Sequence, residues 1–214
     1  MPFTIDDFLD VFRRYNEAVW PAQWILVILA VVAVVAAFRA RRLTSAPAVI
    51  LAVLWLWVGI VYHLAFFRAI NPAAVVFGGL FIVQAGVFLW LALRKPAIRF
   101  TVRRDAAGLL GGLMIVFALI IYPSLGWLVG HRYPAAPTFG LPCPTTVFTF
   151  GLLLWALPAL PRRVLIIPVL WSLVATLAAF QLGMVEDFSL SIAALLASGV
   201  ALRRERRAER LRLA

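Results

Sequence analysis

Residues 22–42 read AQWILVILAVVAVVAAFRARR. From Ala22 to Phe38 there is no charged side chain, and then Arg39, Arg41 and Arg42 arrive together. A helix that crosses a bilayer needs about 20 mostly apolar residues, within a range of about 17–25. A surface helix of a soluble protein keeps a polar face, and this run has none. It is therefore read as a membrane span stopped by a basic loop.

Working outward, the same unit recurs. Apolar runs follow at Ala46–Phe67, Ala73–Leu93, Ala106–Val129, Thr145–Leu160, Val164–Leu182 and Phe188–Leu202. The fifth and seventh are short, so the count is seven, with six as the fallback. The chain is 64% apolar and 14% charged, with a mean hydropathy of +1.01. A soluble domain is about 45–50% apolar and about 25% charged. Such a composition excludes a soluble globular domain and equally excludes disorder. The expected fold is an all-α integral membrane protein.

The charges orient it. Arg39, Arg41 and Arg42, the five basic residues from Arg94 to Arg104, Arg162 and Arg163, and the six arginines from Arg203 to Arg212 fall on one side. Only Arg13, Arg14, Arg68 and Arg132 fall on the other. Basic loops stay in the cytoplasm, so seven spans with the amino terminus outside and the carboxyl terminus inside are expected. Most carboxylates lean the other way: Asp6, Asp7, Asp10, Glu17, Glu186 and Asp187 are placed outside. The net charge of +11 reads as topology, with anionic lipid as the partner of the basic loops and tail, rather than as a nucleic-acid surface. The bilayer is the one certain partner; oligomeric state has no signature. Three units are expected: an amphipathic interfacial helix at 1–20, a seven-helix bundle at 21–202 and a basic cytoplasmic tail at 203–214.

The first unit carries Ile5, Phe8, Phe12, Tyr15 and Val19 on one helical stripe, with Thr4 and Asp7 spaced as a capping box. It suits either the membrane interface or a cap on the outer mouth of the bundle. The acidic start lacks the basic region of a cleavable signal peptide, so the first span is expected to be retained.

Residues that can do chemistry gather outside. His63 closes the second span, Asn71 sits in the next turn, and His131, Arg132, Tyr133 and Cys143 occupy one outer segment. Glu186 and Asp187 share the last outer loop. Four prolines between residues 134 and 144 argue against regular helix there. That segment is either re-entrant or a surface loop folded back over the bundle. His63, His131 and Cys143 are candidate metal ligands, suited to zinc, copper or a heme, with Glu186 or Asp187 as a further ligand. They have no local ligand spacing. The same three are candidate catalytic residues, as a Cys–His nucleophile pair. His63, Asn71, His131, Arg132, Tyr133, Glu186 and Asp187 are candidate ligand-binding residues.

Polarity at membrane depth is sparse. Gln84 lies mid-span, Tyr122 precedes Pro123 at an expected kink, and Ser172 and Thr176 share a face. The lack of charge there argues against a proton-coupled pump. No nucleotide loop, dinucleotide fingerprint or internal repeat is visible. Gly111-Gly112, Gly78-Gly79 and Gly126 with Gly130 suit close helix packing.

Five strings are shared with a family: Trp20-Pro21-Ala22-Gln23, Trp57 to His63, Ile70-Asn71-Pro72-Ala73, Gly130 to Pro134 and Thr138 to Thr146. Over about residues 1–200 the chain resembles an uncharacterised family of bacterial multi-pass inner-membrane proteins. Members are sometimes labelled transporter permeases. The resemblance implies a bacterial inner-membrane location and no reaction. Three functional classes follow: binding or transport of a small solute or metal ion at an outward cavity, an outward-facing enzyme, and an assembly partner.

Overall fold

The computed structural model describes residues 2–39, 45–94, 98–158 and 161–213, with side chains to residue 204. Arg41, Arg42, Lys95 and the end of the fifth apolar run lie outside the described residues, as do the side chains of the tail beyond Arg204.

The chain is an all-α membrane protein. Helix α1 (Ile5–Val19) is followed after a bend of 86° by α2 (Ala22–Phe38). Then come α3 (Ala46–Ala69), α4 (Ala74–Leu93), α5 (Ala106–Leu128), α6 (Pro142–Leu154), α7 (Ile166–Leu182) and α8 (Phe188–Leu213). Five helical segments are long and apolar enough to cross a membrane: α3, α4, α5, α7 with its entry turn and α8 with its own. The bent pair of α1 and α2 makes a sixth. The lipid-facing surfaces are apolar, with Phe180 79%, Leu195 75% and Leu109 66% exposed.

The fifth expected span departs from the expectation in a way that organises the molecule. Helix α6 has only 13 residues. At about 1.5 Å per residue it is about 20 Å long, well short of the hydrocarbon thickness of about 30 Å. Its side chains are buried throughout, except half-buried Cys143. It is the axis of the bundle, packed on by α3, α5, α7 and α8. The prolines did not prevent it. Pro142 and Pro144 stand in its first turn, where the missing N–H groups have no intrahelical partner in any case.

The far end of α6 is closed by a small device. Strand β1 (Arg99–Phe100) pairs antiparallel with strand β2 (Ala156–Leu157), Arg99 opposite Leu157 and Phe100 opposite Ala156. The Trp155 indole donates to the Gly108 carbonyl at 2.9 Å, and Arg204 donates to the Leu154 carbonyl at 2.9 Å. Asp105 caps α5 by accepting from the Gly108 N–H at 2.9 Å, and the Arg103 guanidinium beside it holds its carboxyl well below the usual carboxylate range.

Helices α5 and α6 cross with backbones in contact. A Cβ on Gly151 would lie 2.7 Å from the Gly111 carbonyl oxygen, and one on Gly111 would lie 2.7 Å from that of Gly151. Nearby, Trp55 of α3 is fully buried and donates to Thr149 Oγ1 of α6 at 2.8 Å.

Two spans contain wide π-helical turns, at Val58–Phe66 in α3 and Phe117–Ile121 in α5. The second precedes Tyr122-Pro123, so the expected kink takes the form of a wider turn that accommodates the proline.

Gly151→Ala and Gly111→Ala should each destabilise the bundle by about 1–3 kcal/mol, the range for overpacking. The double variant should lose less than the sum, because one opened crossing admits both methyl groups. Thermal unfolding midpoints of the four proteins in lipid nanodiscs check this, and fully additive losses would contradict the shared crossing.

Candidate functional site

The segment from His131 to Leu141 is a loop, and α1 lies over it. The apolar stripe of α1 faces the bundle: Phe12 and Tyr15 are buried, and Ile5, Phe8 and Val19 pack against the core. Thr4 and Asp7 form the reciprocal capping box that starts the helix. Asn16, fully buried, holds the loop. Its amide nitrogen donates to the Pro134 and Ala136 carbonyls at 2.7 and 2.8 Å. Its amide oxygen accepts from Thr138 Oγ1 at 2.7 Å. Tyr15 relays between elements, accepting from the Trp57 indole at 2.8 Å and donating to the Gly140 carbonyl at 3.2 Å. Gly140 has φ +99°, and a Cβ there would meet Leu26 Cδ1 at 2.4 Å, so both conformation and space require glycine.

Beside the loop lies a buried acidic cluster. Helix α7 ends at Gly183 in the left-handed conformation, and the turn Val185–Asp187 then leads into α8. This turn buries Glu186 and Asp187, which are 2% and 4% exposed. Glu186 Oε1 is 2.8 Å from His131 Nδ1. Tyr122 donates its hydroxyl hydrogen to Asp187 Oδ1. The Cys143 thiol lines the same cavity as this carboxylate.

Asp187, Tyr122 and Cys143 form one edge of a cavity of about 100 Å³. The other walls come from α1 (Phe8, Phe12), α3 (Tyr62, Phe67), α4 (Phe77) and one face of α7 (Trp171, Ala175, Ala178). The π-helical turn of α3 carries Tyr62 to this wall, and Tyr122 directly follows that of α5. Such turns recur at functional sites.

The residues singled out from the sequence separate into groups. His131, Cys143, Glu186 and Asp187 come together. Asn71 also lines the cavity, and its side-chain oxygen accepts from the Ala73 N–H at 3.1 Å. Arg132 lies over the Trp127 ring at 5.7 Å, and Tyr133 reaches the Asn16 carbonyl at 3.4 Å, both outside the cluster. His63 is elsewhere. It is fully buried among Tyr62, Phe67, Phe77, Phe81 and Trp171, its ring 5.1 Å from that of Trp171. Among the described residues neither ring nitrogen has a hydrogen-bond partner.

The convergence of His63, His131 and Cys143 expected for zinc, copper or heme ligation is not what the fold builds. Among the described residues no group of three His, Cys, Asp or Glu side chains is arranged to hold a metal ion. The reason is the aromatic wall that separates His63 from the outer cluster. The Cys–His pair is likewise not assembled: Cys143 faces a carboxylate and a phenol, and a carboxylate neighbour opposes the thiolate that nucleophilic chemistry needs.

Mid-span polar groups are engaged locally. Gln84 donates to the Val164 carbonyl at 3.1 Å and Ser172 to that of Pro168 at 2.8 Å. Thr176 and Ser191 join α7 to α8 through their hydroxyls. Sequence reasoning missed Asn16, whose signal was a polar side chain on the apolar stripe of α1, and the role of Tyr122 beyond its place before a proline.

A family profile described as a family of unknown function, DUF6064, matches residues 5–212, and the chain belongs to that family. No curated protein and no solved structure matches it.

Asn16→Ala leaves two loop carbonyls and the Thr138 hydroxyl unpaired, at a cost of about 2–4 kcal/mol. The expected readouts are a lower unfolding midpoint and faster proteolysis within residues 131–141; unchanged proteolysis would contradict the anchoring role. For His63→Phe the expectation is opposite. A buried unpaired polar group costs about 1–3 kcal/mol, so an aromatic ring without nitrogens should leave the midpoint unchanged or raise it. A marked fall would show that the imidazole nitrogens have partners.

Proposed function

We propose that this DUF6064 member is a multi-pass protein of the bacterial inner membrane that binds a small, largely apolar molecule in the cavity at its extracytoplasmic end. The observation that carries this reading is an enclosed apolar cavity with a short polar edge of Asp187, Tyr122 and Cys143, roofed by α1. Ligand sites are typically concave and mostly apolar, with a few placed polar groups.

The orientation rests on the charges. Arg39, Arg99, Arg103, Arg104, Arg162, Arg163 and the tail arginines belong to one end, and the acidic cluster and cavity to the other. Basic loops stay inside. With the bent α1–α2 pair as one span and the enclosed α6 linking the two faces through protein rather than lipid, the chain changes side seven times, which puts the amino terminus outside and α1 at the outer interface. Anionic lipid then meets the basic loops and tail.

Binding is favoured over transport because Gln84 and Ser172 donate to neighbouring carbonyls rather than lining a route through the bundle.

The probe 3,3-dimethylbutan-1-ol suits the cavity in bulk and polarity. A ligand that binds only the folded state raises the unfolding midpoint with concentration. Millimolar probe should raise the midpoint of the wild-type protein in nanodiscs and leave that of Ala178→Trp, whose indole fills the cavity, unmoved relative to probe-free controls. Equal responses of the two proteins would remove the cavity as the binding site.

A further inference from the structure

We infer that the natural occupant of this cavity is a small organic cation, an amine or quaternary ammonium with an apolar body. The inference rests on the cavity-binding reading and specifies its ligand.

Two features of the lining coincide. Eight of the lining residues are aromatic. Among the described lining residues the only charged one is Asp187. The rings meet in mixed geometries, and Phe3 stacks on Phe8. Phe67 meets Phe3 edge-on at 5.6 Å and Phe8 at 5.8 Å, and stacks on Tyr62 at 5.6 Å. Trp171 meets Phe77 edge-on at 5.5 Å. In an edge-on pair only one of the two rings has a face covered by its partner. A cation within about 6 Å of a free ring face is attracted by the ring quadrupole, most strongly where water is excluded. An apolar neutral guest would be served by aliphatic walls equally well.

The carboxylate completes the argument. A buried charge needs a partner of opposite sign. Tyr122 offers Asp187 a neutral donor and Cys143 is a neutral neighbour, so neither neutralises it. The nearest imidazole, His131, is bonded to Glu186. Arg132 is drawn to Trp127 and Arg68 is exposed, and neither lines the cavity. The missing counter-charge is thus one that a ligand brings.

Size narrows the class. A cavity of about 150 Å³ takes benzene. This one, at about 100 Å³, suits a compact head such as trimethylammonium.

The test compares two molecules that differ in one atom. Choline and 3,3-dimethylbutan-1-ol have the same shape, with a quaternary nitrogen replaced by carbon. Titration calorimetry on the full-length protein in nanodiscs should give a dissociation constant for choline at least tenfold lower than for the alcohol. Asp187→Asn should remove that preference while leaving the affinity for the alcohol within about threefold. Phe8→Leu, at the rim and away from the buried cluster, should weaken choline selectively and serves if Asp187→Asn does not fold. Equal affinities in the wild-type protein would overturn the cationic ligand and leave the cavity reading intact. Failure of both molecules to bind would overturn the cavity reading itself.

Discussion

A helix of 13 residues is too short to cross a bilayer, and its ends must find hydrogen-bond partners in protein. This constraint on α6 explains most of what surrounds it. At one end, the loop from His131 to Leu141 is held by Asn16 and Tyr15 of α1. At the other, Arg204, Trp155 and the β1–β2 pair close the exit. Between the ends, four spans enclose α6, and α5 approaches until the Gly111 and Gly151 backbones touch. A helix usually found at a protein's surface or across its membrane is here a core element, its side chains buried on all sides.

The cavity is a consequence of the same arrangement. Because α6 starts inside the bundle, the space at its amino end is covered by the loop and by α1. Tyr62 and Tyr122 reach that space from wide turns in α3 and α5. The turn after Gly183 brings Asp187 to its edge. The polar cluster and aromatic lining therefore come from six helices and two loops, none of which holds the site alone.

Much of this was legible in the residues. Uniform apolarity marked four long spans almost to the residue, because a lipid-facing helix leaves no ambiguous face. The capping box of α1 was readable from Thr4 and Asp7. The gathering of His131, Cys143, Glu186 and Asp187 at one end of the bundle followed from charge alternation alone. The errors have physical causes. Prolines 142 and 144 looked like helix breakers, yet a first turn tolerates them. The fifth run looked like a short span, because enclosed and lipid-exposed helices have the same composition. His63 looked like a ligand, and beyond Tyr62 and Phe67 on its own helix the rings that enclose it come from α4 and α7, which no local spacing reveals.

The enclosure of α6 is the claim on which the rest depends. Photolabelling with a lipid-soluble diazirine in nanodiscs measures it residue by residue. The account predicts strong labelling at lipid-facing positions such as Leu109, Phe180 and Leu195 and background labelling from residue 145 to residue 154. Labelling of that stretch at the level of Phe180 would mean that α6 meets lipid, and would contradict both the buried axis and the cavity built above it.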